Sequence, residues 1–241
     1  MKKYVLTLLA LSAAAGGCSG SAGDARETPE SAANPPVNAQ PNAAAAAIDS
    51  SATPAEARHP RIIFAGTSLT AGMGLDPDSA YPLHVQRMID SARLDYRVVN
   101  AGVSGETSSA LLGRLDWLLR EPFSVFVIET GANDGLRGIP VTTMRNNIAR
   151  IVDRVRAERP DARVVLLQME ALPNMGAVYT REFRDAFGEV AREKDVPLLP
   201  FLLDGVAGNR ELNQGDGIHP NYEGSRIVAA NVWRGLRPLL R

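Results

Sequence analysis

Residues 123–134 read FSVFVIETGAND, a nearly unbroken apolar run that ends in a short polar turn. A strand as apolar as Phe123–Glu129 is expected to be covered on both faces, as the strands of a parallel sheet are. The polar turn Gly131–Asp134 follows its carboxyl end, which is the edge where open α/β sheets bind ligands. The stretch therefore predicts a buried strand with ligand-binding residues just beyond it.

Strand-like and helix-like segments alternate on either side of this stretch. Four more apolar runs are predicted as strands: Arg61–Ala65, Tyr96–Asn100, Ala162–Met169 and Val196–Phe201. Segments with helical spacing of apolar residues separate them: Tyr81–Arg93, Thr107–Arg120, Val141–Glu158, Tyr179–Lys194 and Asn221–Leu236. Such alternation predicts an α/β domain in which five parallel strands carry helices on both faces, joined by right-handed crossovers.

The first 18 residues have the pattern of an export signal. Two lysines precede the apolar run Tyr4–Ala15, which is too short to span a bilayer. Small residues then lead to Cys18, as in a bacterial lipobox, although Ala15 stands where leucine is usual. We expect residues 1–18 to be a lipoprotein signal peptide with Cys18 as the lipidated residue, and we expect an exported, membrane-anchored lipoprotein of the outer membrane/periplasm. An ordinary secretory signal with an incidental cysteine is the alternative.

Residues 19–58 have the composition of a tether. They are rich in alanine, proline, serine and asparagine and contain no aromatic residue. Such a segment cannot bury enough apolar surface to offset the entropy lost on ordering. We expect it to be disordered, and we expect residues 59–241 to form one domain with a single hydrophobic core.

Composition excludes several function classes for this domain. The chain has a formal net charge of -1 and no basic run, so nothing suggests a nucleic-acid partner. Cys18 is the only cysteine, so no disulfide is expected, and no Cys/His cluster suggests a metal site. We expect neither a metal nor another cofactor, and we expect a monomer.

A candidate nucleophile follows the first predicted strand. Gly66 lets the backbone turn sharply, and Ser68 comes two residues later. A serine hydroxyl needs a neighbouring base to become strongly nucleophilic. The segment lacks the second glycine of a G-x-S-x-G elbow, which argues against an α/β-hydrolase fold. Taken alone, Ser68 could equally cap the turn that follows it.

His219 is the best candidate for that base. It lies three residues after Asp216 in a short loop before the last helix, whereas His59 borders the tether and His84 is expected at the surface of a helix or partly buried there. An aspartate bonded to one imidazole nitrogen leaves the other nitrogen to act as base. The sequence therefore predicts a catalytic triad of Ser68, His219 and Asp216, although Asp-x-x-His also occurs for structural reasons alone.

Three groups are predicted to stabilise an oxyanion: the backbone N–H groups of Ser68 and Gly102 and the side-chain amide of Asn133. Gly102 follows the second predicted strand and Asn133 the third, so a parallel sheet would bring both to the edge that carries Ser68. The alternative for Gly131–Asp134 is a plain turn in which Asn and Gly supply left-handed backbone conformations.

Together these segments resemble the SGNH hydrolase superfamily, also called GDSL esterases. Its four name-giving residues are matched by Ser68, Gly102, Asn133 and His219. Asp216 matches its triad acid, and the similarity extends from about residue 61 to residue 236, closest to the thioesterase I / lysophospholipase L1 / arylesterase group. This resemblance implies a three-layer α/β/α flavodoxin-like sandwich around a five-stranded parallel sheet. It also implies ester hydrolysis through an acyl-enzyme, without a metal.

Thr67 departs from the family pattern, which usually has aspartate beside the nucleophile. That aspartate is not a member of the triad, so Thr67 need not abolish activity. The departure concerns the hydrogen bonds around the serine loop, and we expect the Thr67 hydroxyl to replace part of them.

The resemblance implies acyl esters and thioesters as substrates. Because export would separate the enzyme from cytosolic acyl-CoA, lysophospholipids and other short- to medium-chain esters are favoured. Four residues at the position of the family's mobile substrate loop are expected to line an acyl site, or else to pack beneath the loop: Leu172, Met175, Val178 and Tyr179. Two alternatives stay open, a carbohydrate O-acetyl esterase and a non-catalytic binding lipoprotein on the same scaffold.

Overall fold

The apolar run at residues 123–129 forms the central strand of a parallel sheet in the computed structural model, which describes residues 59–240. The strands are β1 Arg61–Gly66, β2 Arg97–Gly102, β3 Val125–Ile128, β4 Arg163–Gln168 and β5 Leu198–Phe201. Their spatial order is β2-β1-β3-β4-β5, and all neighbouring pairs are parallel. The predicted sheet is confirmed, and the ends of the strands differ from the predicted ones by at most two residues.

Helices form a layer on each side of this sheet. They are α1 Ser68–Ala71, α2 Tyr81–Ser91, α3 Ser108–Gly113, α4 Leu115–Leu118, α5 Ala132–Leu136, α6 Val141–Glu158, α7 Ala177–Glu193 and α8 Tyr222–Leu236. Short 3-10 turns occur at Pro77–Ser79, Pro173–Met175 and Arg237–Leu239. Helices α2 and α8 pack against each other, and α6 packs against both α3 and α7. The α/β/α architecture is therefore confirmed.

The burial of β3 explains why its sequence is apolar on both faces. All four of its residues, Val125 to Ile128, are at most 3% exposed. The neighbouring strand β1 contributes Ile62, Ile63 and Phe64, which are equally inaccessible. Both strands are covered by helices on each face, so alternation between polar and apolar residues would place polar groups in the core.

The segment predicted as one helix from Thr107 to Arg120 is broken into α3 and α4. Gly113 ends α3, and the backbone of Arg114 leaves the helical region with φ -99° and ψ 6°. Glycine is a poor helix former, and the Arg114 guanidinium is bound by the Glu106 carboxylate and by the carbonyl oxygen of Ala101. These contacts hold Arg114 at a bend and tie the segment to the end of β2.

His84 is more buried than predicted, because α8 covers the face of α2 that carries it. The residue is 7% exposed, and its ring lies 5.5 Å from the Tyr222 ring. Its Nδ1 lies 2.9 Å from an Arg87 guanidinium nitrogen, while its Nε2 is buried without a hydrogen-bond partner in the described part of the chain. Burial, and then the charges of Arg87 and Arg226, lower the pKa of His84.

The order of the strands places a crevice between β1 and β3. The chain passes from β1 to β2 on one side and then returns to β3 on the other side of β1. Ligands of such sheets bind at this switch point, outside the carboxyl ends of the strands. Ser68 follows β1 and Asn133 follows β3, so the fold brings both to this edge.

The predicted signal peptide, Cys18 and the tether lie outside the described residues. Within residues 59–240, every helix is too short or too polar to cross a bilayer.

Candidate active site

The turn that carries Ser68 depends on a glycine. β1 ends at Gly66, Thr67 caps α1, and Ser68 is the first residue of that short helix. A Cβ on Gly66 would lie 2.1 Å from Thr70 Oγ1, which is far inside van der Waals contact. Only glycine therefore lets the chain turn here. Ser68 is held at the carboxyl edge of the sheet and is 9% exposed.

Ser68, His219 and Asp216 form one chain of hydrogen bonds. His219 Nε2 lies 2.8 Å from Ser68 Oγ, and His219 Nδ1 lies 2.6 Å from Asp216 Oδ2. The loop that carries the last two residues is fixed from within: the N–H groups of Ile218 and His219 each donate to Asp216 Oδ1 at 3.0 Å. Gly217 makes the turn between them with a φ of +75°. Parts of the chain 151 residues apart thus meet with the geometry predicted for a triad.

The hydrogen bonds to Asp216 keep its carboxylate ionised, and the ionised carboxylate orients the imidazole of His219. The hydrogen bond from the His219 side chain, followed by those from the N–H groups of His219 and Ile218, lowers the pKa of Asp216 from 3.8 to about 2. An ionised Asp216 accepts a hydrogen bond from the Nδ1–H of His219, so the hydrogen-bond network leaves the lone pair of the neutral imidazole on Nε2. That lone pair faces the Ser68 hydroxyl, which can therefore be deprotonated as it attacks.

Asn133 lies beside this chain with its amide anchored on one side. Its Nδ2 donates to the carbonyl oxygen of Glu106 at 2.9 Å. A side-chain amide carries two N–H groups, so one remains for a ligand in the cavity that Asn133 and Ser68 both line. Asn133 is thus placed where the sequence predicted it, and its role as an oxyanion donor stays a prediction.

Gly102 cannot act as the predicted donor. Its N–H donates to Asn100 Oδ1 at 3.0 Å, and Gly102 is not among the residues that line the cavity. A Cβ on Gly102 would lie 2.2 Å from the backbone nitrogen of Ala71. Glycine is required at this position because α1 packs directly on the end of β2, so the prediction for Gly102 is wrong.

Gly105 occupies the place that Gly102 was expected to fill. It lines the cavity together with Ser68 and Asn133. Its N–H has no partner among residues 59–240, and its carbonyl oxygen accepts a hydrogen bond from Arg137 at 3.0 Å. Its φ of +79° is one that glycine adopts easily. Sequence reasoning missed Gly105 because it lies only three residues after Gly102 and nothing in the local sequence separates the two.

Thr67 makes hydrogen bonds of the kind expected for the residue beside the nucleophile. Its Oγ1 accepts from the Leu69 N–H at 3.4 Å and lies 3.0 Å from both carboxylate oxygens of Glu129. Thr67 is 1% exposed, so these contacts belong to the interior beneath the serine turn. The hydroxyl therefore connects the turn to the end of β3.

An apolar cavity of about 450 Å³ opens beside Ser68 and His219. Most of its wall is aliphatic or thioether side chain, contributed by Leu69, Met73, Leu136, Met169, Leu172, Leu203 and Ile218. Pockets of this size and polarity hold small apolar ligands or parts of larger ones. Leu172 lies on this wall, as predicted for an acyl site, and its contact with substrate remains a prediction.

The other three residues of the predicted substrate loop are not part of the cavity wall. The Tyr179 hydroxyl donates to the carbonyl oxygen of Ile139 at 2.8 Å, and its ring packs 6.1 Å from that of Phe183. Val178 is 60% exposed, and Met175 ends a 3-10 turn. Helix α7 already begins at residue 177, which directs Tyr179 toward the core of its layer. The structure thus supports packing for Tyr179.

Groups of three or more His, Cys, Asp or Glu side chains arranged to hold a metal ion do not occur within residues 59–240.

Residues 64–227 match the GDSL-like Lipase/Acylhydrolase family, which is more than half of the chain. The chain belongs to this family. Among curated proteins, it is 39% identical over 180 residues to "Esterase TesA" of Pseudomonas aeruginosa, covering 74% of this chain and 89% of that protein. It is 34% identical to "Thioesterase 1/protease 1/lysophospholipase L1" of Escherichia coli K12, covering 74% and 84%.

Solved structures of this family have the same fold. The crystal structure of TesA superimposes with a TM-score of 0.71 at 39% identity, covering 75% of this chain and 99% of that one. The psychrotrophic esterase EstA from Pseudoalteromonas, solved as a complex inhibited by monoethylphosphonate, gives a TM-score of 0.70 at 32% identity over 74% and 97%. The predicted membership and the predicted fold are both confirmed.

Proposed function

We propose that this chain is a serine esterase that hydrolyses acyl esters through an acyl-enzyme. The observation that carries the proposal is the hydrogen-bonded chain of Ser68, His219 and Asp216 at the mouth of an apolar cavity. Membership of an acylhydrolase family supports the same reaction. So do relatives named as an esterase, a thioesterase/lysophospholipase and an arylesterase.

In the proposed mechanism, Ser68 Oγ attacks the carbonyl carbon of the ester while His219 Nε2 takes its proton. The tetrahedral intermediate carries a negative oxygen, which would accept hydrogen bonds from Asn133 Nδ2 and from the N–H groups of Gly105 and Ser68. His219 then protonates the leaving alkoxide, and the acyl group stays on Ser68. Water activated by His219 releases the acid, while Asp216 holds the imidazole in position.

The shape of the cavity supports an acyl chain of short to medium length as the preferred acid. A volume of about 450 Å³ with a mostly aliphatic wall suits several methylene groups, each of which contributes about 0.8 kcal/mol when buried. A carbohydrate O-acetyl esterase would need a shallower polar site, and a binding lipoprotein would not need the triad geometry. Lysophospholipids and other short- to medium-chain esters are the physiological substrates that we favour, because lysophospholipids combine an aliphatic acyl chain with a location at a membrane.

We further propose that a lipid on Cys18 anchors the protein to the outer membrane and that residues 19–58 let a monomeric domain reach substrate in or near the bilayer. The support is the pattern of residues 1–18. Replacing Cys18 by serine should move the protein from the membrane fraction to the soluble fraction. An unchanged distribution would rule out this anchor.

Hydrolysis of p-nitrophenyl esters from acetate to palmitate tests the proposed function. We expect turnover that peaks at medium chain lengths and that is lost in Ser68→Ala. A sharp preference for acetate would favour the carbohydrate deacetylase instead. Absence of turnover with every ester, from a folded protein, would favour the binding module.

A further inference from the structure

A buried carboxylate lies directly beneath the turn that carries Ser68. Glu129 follows β3, and its N–H donates to the carbonyl oxygen of Ala65 in β1 at 2.8 Å. It is 1% exposed and does not line the cavity, so it does not contact a substrate there. Neither the triad nor the proposed oxyanion donors use it.

This carboxylate binds the residues on both sides of the nucleophile. Glu129 Oε2 accepts hydrogen bonds from the Thr67 N–H at 2.7 Å and from the Thr70 hydroxyl at 2.9 Å. The Thr67 hydroxyl lies 3.0 Å from each carboxylate oxygen. Ser68 is therefore held in a turn that is bonded to one side chain through the Thr67 N–H before it and the Thr70 hydroxyl after it.

A second layer fixes the direction of these hydrogen bonds. Thr70 has a single hydroxyl proton and donates it to Glu129, so the Tyr81 hydroxyl must donate to Thr70 Oγ1 across their 2.9 Å contact. Tyr81 is only 2% exposed and begins α2. The network thus runs from α2 through α1 to the end of β3, with the carboxylate as its final acceptor.

We propose that Glu129 is a positioning residue that holds Ser68 in line with His219, and that Thr67 is a hydrogen-bond donor matched to the Glu129 carboxylate. The proposal rests on the proposed function, in which Ser68 is the nucleophile. An aspartate at position 67 would have no hydroxyl to donate and would place a second carboxylate within hydrogen-bond distance of the first. Two such carboxylates share a proton, because they cannot both ionise easily.

The surroundings of Glu129 leave its charge to be stabilised by the hydrogen bonds from Thr67 and Thr70. Burial raises its pKa, while the hydrogen bonds from Thr67 and Thr70 act in the opposite direction. The other titratable groups that face it are Tyr81, whose pKa burial raises well above 10, and Glu106, which is paired with Arg114. In the described part of the chain Glu129 has no cation of its own, so donors from the serine turn stabilise its charge.

Four variants of the full chain test the proposal by steady-state kinetics from pH 5 to 9. Glu129→Gln keeps the shape but replaces one acceptor by a donor, and we expect kcat to fall about 10- to 100-fold at nearly unchanged KM, as for a misplaced reacting group. Thr67→Val removes only the hydroxyl and should lower kcat by several-fold. Thr67→Ser restores the hydroxyl and is the matched control, with kcat expected within about twofold of wild type.

Thr67→Asp separates positioning from a loss of stability. The introduced carboxylate and Glu129 would form a coupled pair, and we expect kcat/KM to fall as pH rises through the second ionisation of that pair. The profile of kcat/KM against pH for the wild type should lack this decrease. A melting temperature for each variant, and the rate of Ser68 phosphonylation, complete the comparison. A role in folding alone would lower the melting temperature without changing the pH profile or the phosphonylation rate of the folded enzyme.

The proposal is overturned if Glu129→Gln and Thr67→Val keep kcat within about twofold of wild type, or if Thr67→Asp has the wild-type pH profile. Ser68→Ala, measured in the same series, distinguishes the two levels of inference. An active Ser68→Ala would remove the proposed function itself, whereas an inactive Ser68→Ala beside an unaffected Glu129→Gln would remove only the positioning role.

Discussion

Replacing Asn133 by alanine should remove one of three proposed oxyanion donors and leave the triad intact. The amide has one N–H bonded to the carbonyl oxygen of Glu106 at 2.9 Å and a second available to the cavity. Loss of one such donor typically costs about 3–4 kcal/mol of transition-state stabilisation. That corresponds to a fall in kcat of roughly 10²- to 10³-fold.

The effect on KM and on stability should be much smaller. The oxyanion exists mainly in the transition state, so the donor contributes little to binding of the ground-state ester. Loss of the hydrogen bond to Glu106 removes about 1 kcal/mol of net stability. For a domain of this size that lowers Tm by about 2–4 °C. Catalysis and stability are therefore predicted to change by very different amounts.

The assay is hydrolysis of a p-nitrophenyl ester, with kcat and KM resolved, beside a thermal melt. Asn147→Ala is the matched control, since this buried asparagine also loses hydrogen bonds, to the hydroxyls of Ser108 and Ser109, but does not line the cavity. It should lose stability and keep kcat. If Asn133→Ala keeps kcat within about threefold of wild type and instead raises KM, the assignment of the oxyanion donor is refuted.

Three further changes probe the same site and its support. Asp216→Asn should lower kcat on the order of 10⁴-fold. The pKa of Asp216 in the folded protein is about 2, below the ordinary 3.8, so the stability that Asp216 contributes is present above pH 4 and lost as pH falls toward 2. The melting temperatures of wild type and variant should therefore converge near pH 2. Gly102→Ala should lower Tm through its collision with Ala71. Gly105→Ala keeps the N–H but strains a φ of +79°, so it should lower Tm and also lower kcat by displacing that N–H from the cavity. A loss of kcat in Gly102→Ala, with kcat unchanged in Gly105→Ala, would restore Gly102 as the donor. His84 has a lowered pKa in the folded protein, so the unfolded chain binds a proton more readily, and stability should be lost as pH falls below 6.5. His84→Leu should weaken this dependence of stability on pH, and an unchanged dependence would show that other groups cause it.

The fold could be predicted because its signals are local and repeated. Five apolar runs, each bounded by a turn, determine a parallel sheet, and the completely buried β3 has the sequence that this burial requires. The meeting of Ser68, His219 and Asp216 was also predictable, since Asp216 and His219 lie on one short loop and Ser68 follows the first strand. These are features of chain order and spacing that need no knowledge of side-chain packing.

What the sequence did not reveal depends on contacts between distant segments. Gly102 ends β2 and Gly105 lies three residues later in the loop that follows, and only the packing of α1 on β2 shows that Gly102 is required for close packing. Tyr179 could line a cavity or bond to Ile139, and the direction of α7 decides this. Glu129 has no feature that separates it from other acidic residues until the sheet brings it under the serine turn.

The most direct measurement is intact-protein mass spectrometry, with peptide mapping, after incubation with a p-nitrophenyl alkylphosphonate. Attack by Ser68 Oγ on phosphorus forms one P–O bond and releases p-nitrophenolate, while His219 takes the serine proton. We predict one phosphonyl group per chain, located on Ser68, with an equal amount of p-nitrophenol released and complete loss of esterase activity. An active esterase that carries no adduct on Ser68, or carries it on another residue, would contradict the assignment of Ser68 as the nucleophile.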